Sequence, residues 1–254
     1  MLGVMEVTRD GEVAVVSMRG GKANAMDEAF LRGLLRLFDE VESSDARAVV
    51  VIGYGNFFSA GLAMPALIGL DRPGLATFVV LFESAMRRVF SFPRPVVAAV
   101  NGHAIAGGCV LALQCDLRLM ADSQTKIGLN EVQLGIGLPS SVIEPLRLQV
   151  PAASLVPIAL EGTLLTPADA KRLGLVDEVV PAAELLARGV ERARSLARGS
   201  PAAVAQIKKA LRGPSLEMMQ KESIRQMETW LDTWFNPLTQ ERIRNAVAQL
   251  TGKR

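Results

Sequence analysis

Pro95-Val96-Val97-Ala98-Ala99-Val100-Asn101-Gly102-His103-Ala104-Ile105-Ala106-Gly107-Gly108-Cys109-Val110-Leu111-Ala112-Leu113-Gln114-Cys115-Asp116 is the stretch around which the chain is organised. Pro95–Val100 is a short run of Val and Ala, a candidate buried strand. Asn101-Gly102 breaks it, and Gly107-Gly108 follows after four more residues. Cys109–Leu113 is apolar on all sides, which suits a buried helix. A strand that ends in a glycine-rich turn and feeds a helix leaves backbone N–H groups unpaired at the helix start. Together with the helix dipole they form a site for developing negative charge, and the glycines let a ligand approach the backbone. No Lys-Ser/Thr follows the glycines, which excludes a P-loop. Gly102, Gly107 and Gly108 do not make the dinucleotide fingerprint G-x-G-x-x-G. Spacing alone leaves a structural turn and an oxyanion site both open.

Composition narrows the classes. The chain has 254 residues, half of them apolar, enough for one large domain or a domain with a small appendage. A net charge of +2 argues against nucleic-acid binding. The two cysteines, Cys109 and Cys115, lie in the apolar central stretch and read as small buried thiols. A single histidine, His103, leaves no multi-histidine metal site. The first residues carry charges and no long apolar run, so no signal peptide is expected, and no run reaches the length of a membrane span. The expectation is a soluble, cytoplasmic protein.

Outward from the centre, Val4–Thr8 and Val13–Met18 read as a hairpin joined at Asp10-Gly11. Asp27 is placed to cap a helix whose Phe30, Leu34, Leu37, Phe38 and Val41 recur at helical spacing. Ala48–Ile52 is a strand, and Phe57–Leu62 an apolar segment that ends at a glycine. Ala63–Asp71 predicts a short helix and a mobile loop, and Leu75–Phe90 a helix. Short strands are expected at Asp116–Ala121, Thr125–Gly128 and Val176–Val180, with helices over 140–149, 151–160 and 167–173. Beyond Pro181 only helices are expected: Ala182–Arg198, Pro201–Leu211, a segment after Pro214, and a last one to about Leu250. The run Arg188, Arg192, Arg194, Arg198 reads as a solvated helix face. Ile224, Met227, Leu231 and Trp234 form an apolar stripe for core or subunit packing. Alternating strands and helices followed by helices alone argue for an α/β core with a C-terminal helical part.

Two segments bring backbone N–H groups to a glycine turn, Ser59-Ala60-Gly61-Leu62 and Ala106-Gly107-Gly108. Two such groups from separate turns, aimed at one oxygen, make an oxyanion hole. The carboxylate of interest is Glu131, set among apolar neighbours in Gly128–Gly135. In a pocket its pKa would rise toward the neutral range that acid/base catalysis needs. A surface glutamate at a helix start is the other reading of the same spacing.

These pieces occur in one order with Lys22–Met26 before them and Leu164-Leu165-Thr166-Pro167-Ala168-Asp169-Ala170 through Asp177 after them. Over almost its whole length the chain resembles the enoyl-CoA hydratase/isomerase (crotonase) family. The resemblance implies an α/β spiral of repeated β-β-α turns over 1–195 and a C-terminal helical oligomerisation region over 196–254, building trimers or hexamers. It implies an acyl-CoA thioester as substrate, with CoA as part of that substrate and no other cofactor. The oxyanion donors would be the backbone N–H groups of Leu62 and Gly107. CoA would lie against backbone at Ala23, Ala25 and Ala60, with Lys22 near a phosphate, and Ser59 and Val110 would border the substrate.

Hydratases of the family carry two glutamates, of which one matches Glu131 and the other falls on Val110. One carboxylate cannot both give and take a proton around a held water, but it can carry a proton between two carbons. The segment Ile127–Ile136 is most similar to the Δ3,Δ2-enoyl-CoA isomerase branch. Dienoyl-CoA isomerases and the acyl-CoA hydrolases place an aspartate where this chain has Pro139, which counts against both. Ala63 stands where the family often has a helix-capping aspartate, and His103 occupies a position that is normally not catalytic. The expectation is an isomerase with Glu131 as its acid/base. A hydratase or other crotonase reaction, and a non-catalytic acyl-CoA-binding scaffold, are the alternatives.

Overall fold

The computed structural model describes residues 5–21 and 23–251. An antiparallel hairpin, β1 (Met5–Asp10) and β2 (Val13–Met18), opens the fold, and α1 (Glu28–Ser43) follows. The Asp27 side chain accepts from the Phe30 N–H and caps α1. Three turns of a spiral come next. The first is β3 (Ala48–Ile52), β4 (Phe57–Ser59), a short α2 (Met64–Leu67) and α3 (Arg72–Phe90). The second is β5 (Val96–Val100), β6 (His103–Ile105) and α4 (Gly107–Gln114). The third is β7 (Leu117–Asp122), β8 (Ile127–Gly128), α5 (Glu131–Leu134) and α6 (Ser140–Gln149). Then come α7 (Pro167–Arg172), β9 (Glu178–Pro181), α8 (Leu185–Leu196), α9 (Pro201–Phe235) and α10 (Pro237–Thr251).

In each turn one strand joins a large sheet, ordered β1-β2-β3-β5-β7-β9, and the next joins a small parallel sheet, β4-β6-β8. From β2 onward the large sheet is parallel. Its apolar runs are buried on both faces, as parallel strands require. Ala14, Val16, Val49, Val51, Val96 and Ala98 face α1, α3 and α4, while Val13, Val15, Val50, Val97, Ala99 and Leu119 face α8.

The structure departs from the sequence expectations at four places. His103–Ile105, expected as part of a turn, is a strand, because its neighbours β4 and β8 supply the pairing. Residues 151–160 are not one helix but a 3-10 turn, Ala152–Ser154, and a π turn, Val156–Leu160. Pro157 lacks an N–H, and the chain widens so that the Glu161 N–H reaches the Val156 carbonyl. Pro214 does not end a helix but lies inside the continuous α9. Lys208 and Arg212, just before it, are anchored to the core and hold the helix in place: Lys208 Nζ donates to Asp116 Oδ2 (2.6 Å), and Arg212 to the Phe90 carbonyl (2.7 Å). Finally, Leu231 and Trp234 of the apolar stripe are buried against the core and Met227 partly so, but Ile224 is 85% exposed. Among the described residues no helix is long and apolar enough to cross a membrane. Arg188, Arg192 and Arg194 lie at the surface, paired with Glu178, Glu191 and Asp10.

Candidate active site

The two glycine turns meet. Gly61 has φ +84°, and a carbon in place of its α-hydrogen would lie 2.8 Å from the Gly107 nitrogen. The corresponding position on Gly107 lies 3.4 Å from the Leu62 nitrogen. The Met26 N–H donates to the Gly61 carbonyl and the Ala63 N–H to the Met26 carbonyl, so the backbone bonds of this bridge skip the Leu62 N–H. Gly107 opens α4, where an N–H has no partner within the helix. Among the described residues neither N–H has a hydrogen-bond acceptor.

The local chain is built to present them. Ala106, just before α4, has φ +49° and ψ −119°, a strained backbone that the Ala106 N–H to Gly128 carbonyl bond (2.9 Å) helps to hold. A Cβ on Gly108 would stand 2.1 Å from the Ser59 carbonyl oxygen, so only glycine lets α4 start this close to β4. Ser59, expected to border the substrate, is fully buried; its hydroxyl donates to the Asn24 carbonyl (2.7 Å) and accepts from the Gly61 N–H (3.1 Å). Its side chain therefore braces the turn.

Asn24, absent from the sequence-based candidates, completes the brace. It is buried with φ +49°, accepts from the Gly20 N–H and donates to the Phe58 carbonyl. An asparagine in a glycine-rich loop was the available signal, since Asn tolerates the left-handed region. Ala23 and Ala25 flank it, half-buried, and the Ala60 N–H donates to the Ala23 carbonyl (2.9 Å). Lys22 lies outside the described residues.

A cavity of about 490 Å3 opens at these turns. Ala60, Leu62, Ala106 and Gly107 border it, with Val110 on α4 and Glu131 on α5. Phe78, Val79 and Phe82 of α3, and Trp230 of α9, add apolar walls, and Ala246 and Gln249 of α10 close the lining. Glu131 is the only titratable side chain among the described residues that line it. Its Oε2 is buried and has no hydrogen-bond partner. Burial raises its pKa from the ordinary 4.5 to about 7, opposed in part by a hydrogen bond to its own backbone N–H. Two backbone N–H groups without an acceptor, one carboxylate shifted toward neutral pH and an apolar cavity together could serve proton transfer next to a polarised carbonyl. His103, by contrast, is half-buried on β6, where its Nδ1 accepts from the Lys126 N–H (3.1 Å).

That combination defines a site for proton transfer beside a polarised carbonyl, and comparison with known proteins gives it a family. The profile described as enoyl-CoA hydratase/isomerase matches residues 8–249. The chain is 32% identical over 206 residues to the short-chain-enoyl-CoA hydratase of Clostridium acetobutylicum, covering 80% of this chain and 78% of that one. It is 31% identical over 223 residues to the carnitinyl-CoA dehydratase of Escherichia coli K12, covering 87% and 84%. The solved structure of human mitochondrial Δ3,Δ2-enoyl-CoA isomerase superposes with a TM-score of 0.93 at 25% identity over 99% of both chains. The chain belongs to the enoyl-CoA hydratase/isomerase (crotonase) family, and it has the crotonase fold.

Proposed function

We propose that the protein is an enoyl-CoA isomerase, moving the double bond of an enoyl-CoA thioester from the β,γ (3-enoyl) to the α,β (2-enoyl) position. The observation that carries this reading is that, among the described residues, Glu131 has no second titratable group beside it in the cavity, and that apolar Val110 lines the same wall. The Leu62 and Gly107 N–H groups would hold the thioester oxygen. The Glu131 carboxylate removes a proton from the α carbon, and the electron pair spreads into a dienolate whose oxygen the two N–H groups stabilise. The protonated Glu131 then returns that proton to the γ carbon. Atoms and charge balance, and nothing beyond the CoA of the substrate is needed.

On this reading CoA lies against backbone at Ala23, Ala25 and Ala60, with Lys22 near a phosphate, and the protein assembles as a homotrimer or hexamer. Hydration is the second reading, favoured by the names of the two sequence relatives. The test is the absorbance of 3-hexenoyl-CoA mixed with the purified protein. The conjugated product absorbs where the substrate does not, so a rise in signal is expected. Hydration of crotonyl-CoA as fast as this isomerisation would refute the reading.

A further inference from the structure

Glu131 opens α5, and α5 is only four residues long. A single helical turn does not hold itself, because nucleating it fixes several dihedral angles for one hydrogen bond. A shuttling base must nevertheless stay within about 0.5 Å of its working position. Gln133 Nε2 of α5 donates to the Gly162 carbonyl (2.9 Å), and the rest of the restraint comes from the corner where α9 passes into α10. Trp230 Nε1 donates to the Gly137 carbonyl (2.9 Å), and the Gly137 N–H donates to Thr233 Oγ1 (3.0 Å). Thr239 Oγ1 donates to the Gly135 carbonyl (3.2 Å), and Arg242 donates to the Gln133 carbonyl (3.3 Å).

Gly135 is the pivot. With φ +92° it ends α5, and its N–H bonds back to the Val132 carbonyl. The next N–H, that of Ile136, bonds to the carbonyl of Glu131 itself (3.0 Å). The space a Cβ on Gly135 would fill is taken by Thr239 Oγ1, 2.4 Å from that position. Thr239 is 3% exposed, so its hydroxyl is sealed against this turn.

We infer that Thr239, aided by Thr233 and Trp230, is a positioning residue that fixes the backbone turn from which Glu131 reaches the substrate. This rests on the reading of Glu131 as the acid/base. Thr239 touches no reacting atom and acts through Gly135.

The experiment compares wild type, Thr239→Val and Thr239→Ser in the full-length protein, on both 3-hexenoyl-CoA and crotonyl-CoA, since either reaction would use Glu131. Valine keeps the shape and loses the hydroxyl, while serine keeps the hydroxyl. Thr239→Val is expected to lower kcat roughly 10-fold with KM nearly unchanged, and Thr239→Ser to restore kcat to within about 3-fold of wild type. Wild-type kcat in Thr239→Val, or equal losses in both variants, overturns the inference. If Thr239→Val does not fold, Thr233→Val and Thr233→Ser carry the same comparison through the Gly137 N–H. Glu131→Gln is run beside them. Full activity there, or a wild type inactive on both substrates, defeats the reading of Glu131 and the inference with it; an inactive Glu131→Gln beside an unaffected Thr239→Val defeats only the positioning role.

Discussion

Asp116 and Glu131 are carboxylates drawn into the same protein for opposite ends. Asp116 sits where the central stretch ends, and its oxygens are saturated. Oδ2 accepts from the Val96 N–H (2.7 Å) and Lys208 Nζ (2.6 Å), and Oδ1 pairs with Arg212 (2.9 Å). Glu131 faces an apolar cavity with Oε2 unpartnered. Burial leaves its mark on both neighbourhoods, pushing Lys208 down to about 8 and Glu131 up to about 7. What separates them is the counter-charge. A carboxylate held by two cations anchors α9 to the core, whereas one with no cation beside it and an unpartnered oxygen facing the cavity has the setting that proton exchange needs.

The comparison breaks first at Glu131→Gln. Turnover on 3-hexenoyl-CoA should fall by roughly 10²–10⁴, the range for losing a general acid/base. Binding should persist, because on the proposed reading the thioester oxygen is held by backbone N–H groups and not by this side chain. Trp230 lines the cavity and stacks on Trp234 at 5.8 Å, so quenching of tryptophan fluorescence by an acyl-CoA measures that binding directly. Turnover within a few-fold of wild type would make Glu131 a bystander.

Asp116→Asn tests the other half. It leaves Lys208 and Arg212 buried without their carboxylate, a loss on the order of 3–5 kcal/mol. Urea unfolding should show that loss, while the protein that remains folded at low temperature keeps a normal KM. An unchanged midpoint would mean that the carbonyls around Arg212 suffice without Asp116.

Glu131 also makes a signed prediction about pH. Below its unfolded pKa near 4.5 both states carry the proton, and the group contributes nothing. Between 4.5 and about 7 the folded state keeps a proton that the unfolded state has released, so stability falls as pH rises through that window. Above it the full cost remains, about 3 kcal/mol for a shift of this size. The advantage of Glu131→Gln over wild type in urea should therefore grow from below about 1 kcal/mol at pH 5 to about 3 kcal/mol at pH 8. A constant difference would place the carboxylate in water.

Sequence legibility divides along the same line. The central strand and helix, the glycine turns and the Asp27 cap rest on local signals, and those segments could be read directly. The placement of Glu131 beside the turns is local too, through the short link from β8 to α5. What supports Glu131 is not local. Thr239 and Trp230 meet Gly135 and Gly137 only because α9 runs on through Pro214 and α10 turns back, and both events depend on long-range contacts at Lys208, Arg212 and Trp234. The strand His103–Ile105 was hidden for the same reason: three residues between glycine turns carry no periodicity, and only pairing with β4 and β8 makes them a strand.

The smallest expected effect concerns Val110, and it bears on which reaction the single carboxylate performs. Val110 lies on α4 in the turn opened by Gly107, is 1% exposed, and lines the cavity with Glu131. An apolar side chain there offers a water molecule no hydrogen bond, and a dry cavity strengthens the hydrogen bonds to the developing oxyanion. Replacing it with glutamate supplies a second carboxylate to hold and activate water. Val110→Glu should raise hydration of crotonyl-CoA about 10-fold, short of the full 10²–10⁴ of a well-placed acid/base because the site is packed around valine at this position. It should also lower stability, since a carboxylate replaces a packed apolar group. Isomerisation should fall in the same variant as water enters the cavity. Both rates are measured in both proteins. If hydration does not rise while the variant still folds and binds acyl-CoA, Val110 does not decide between the two reactions, and the contrast between one carboxylate and two loses its explanatory force.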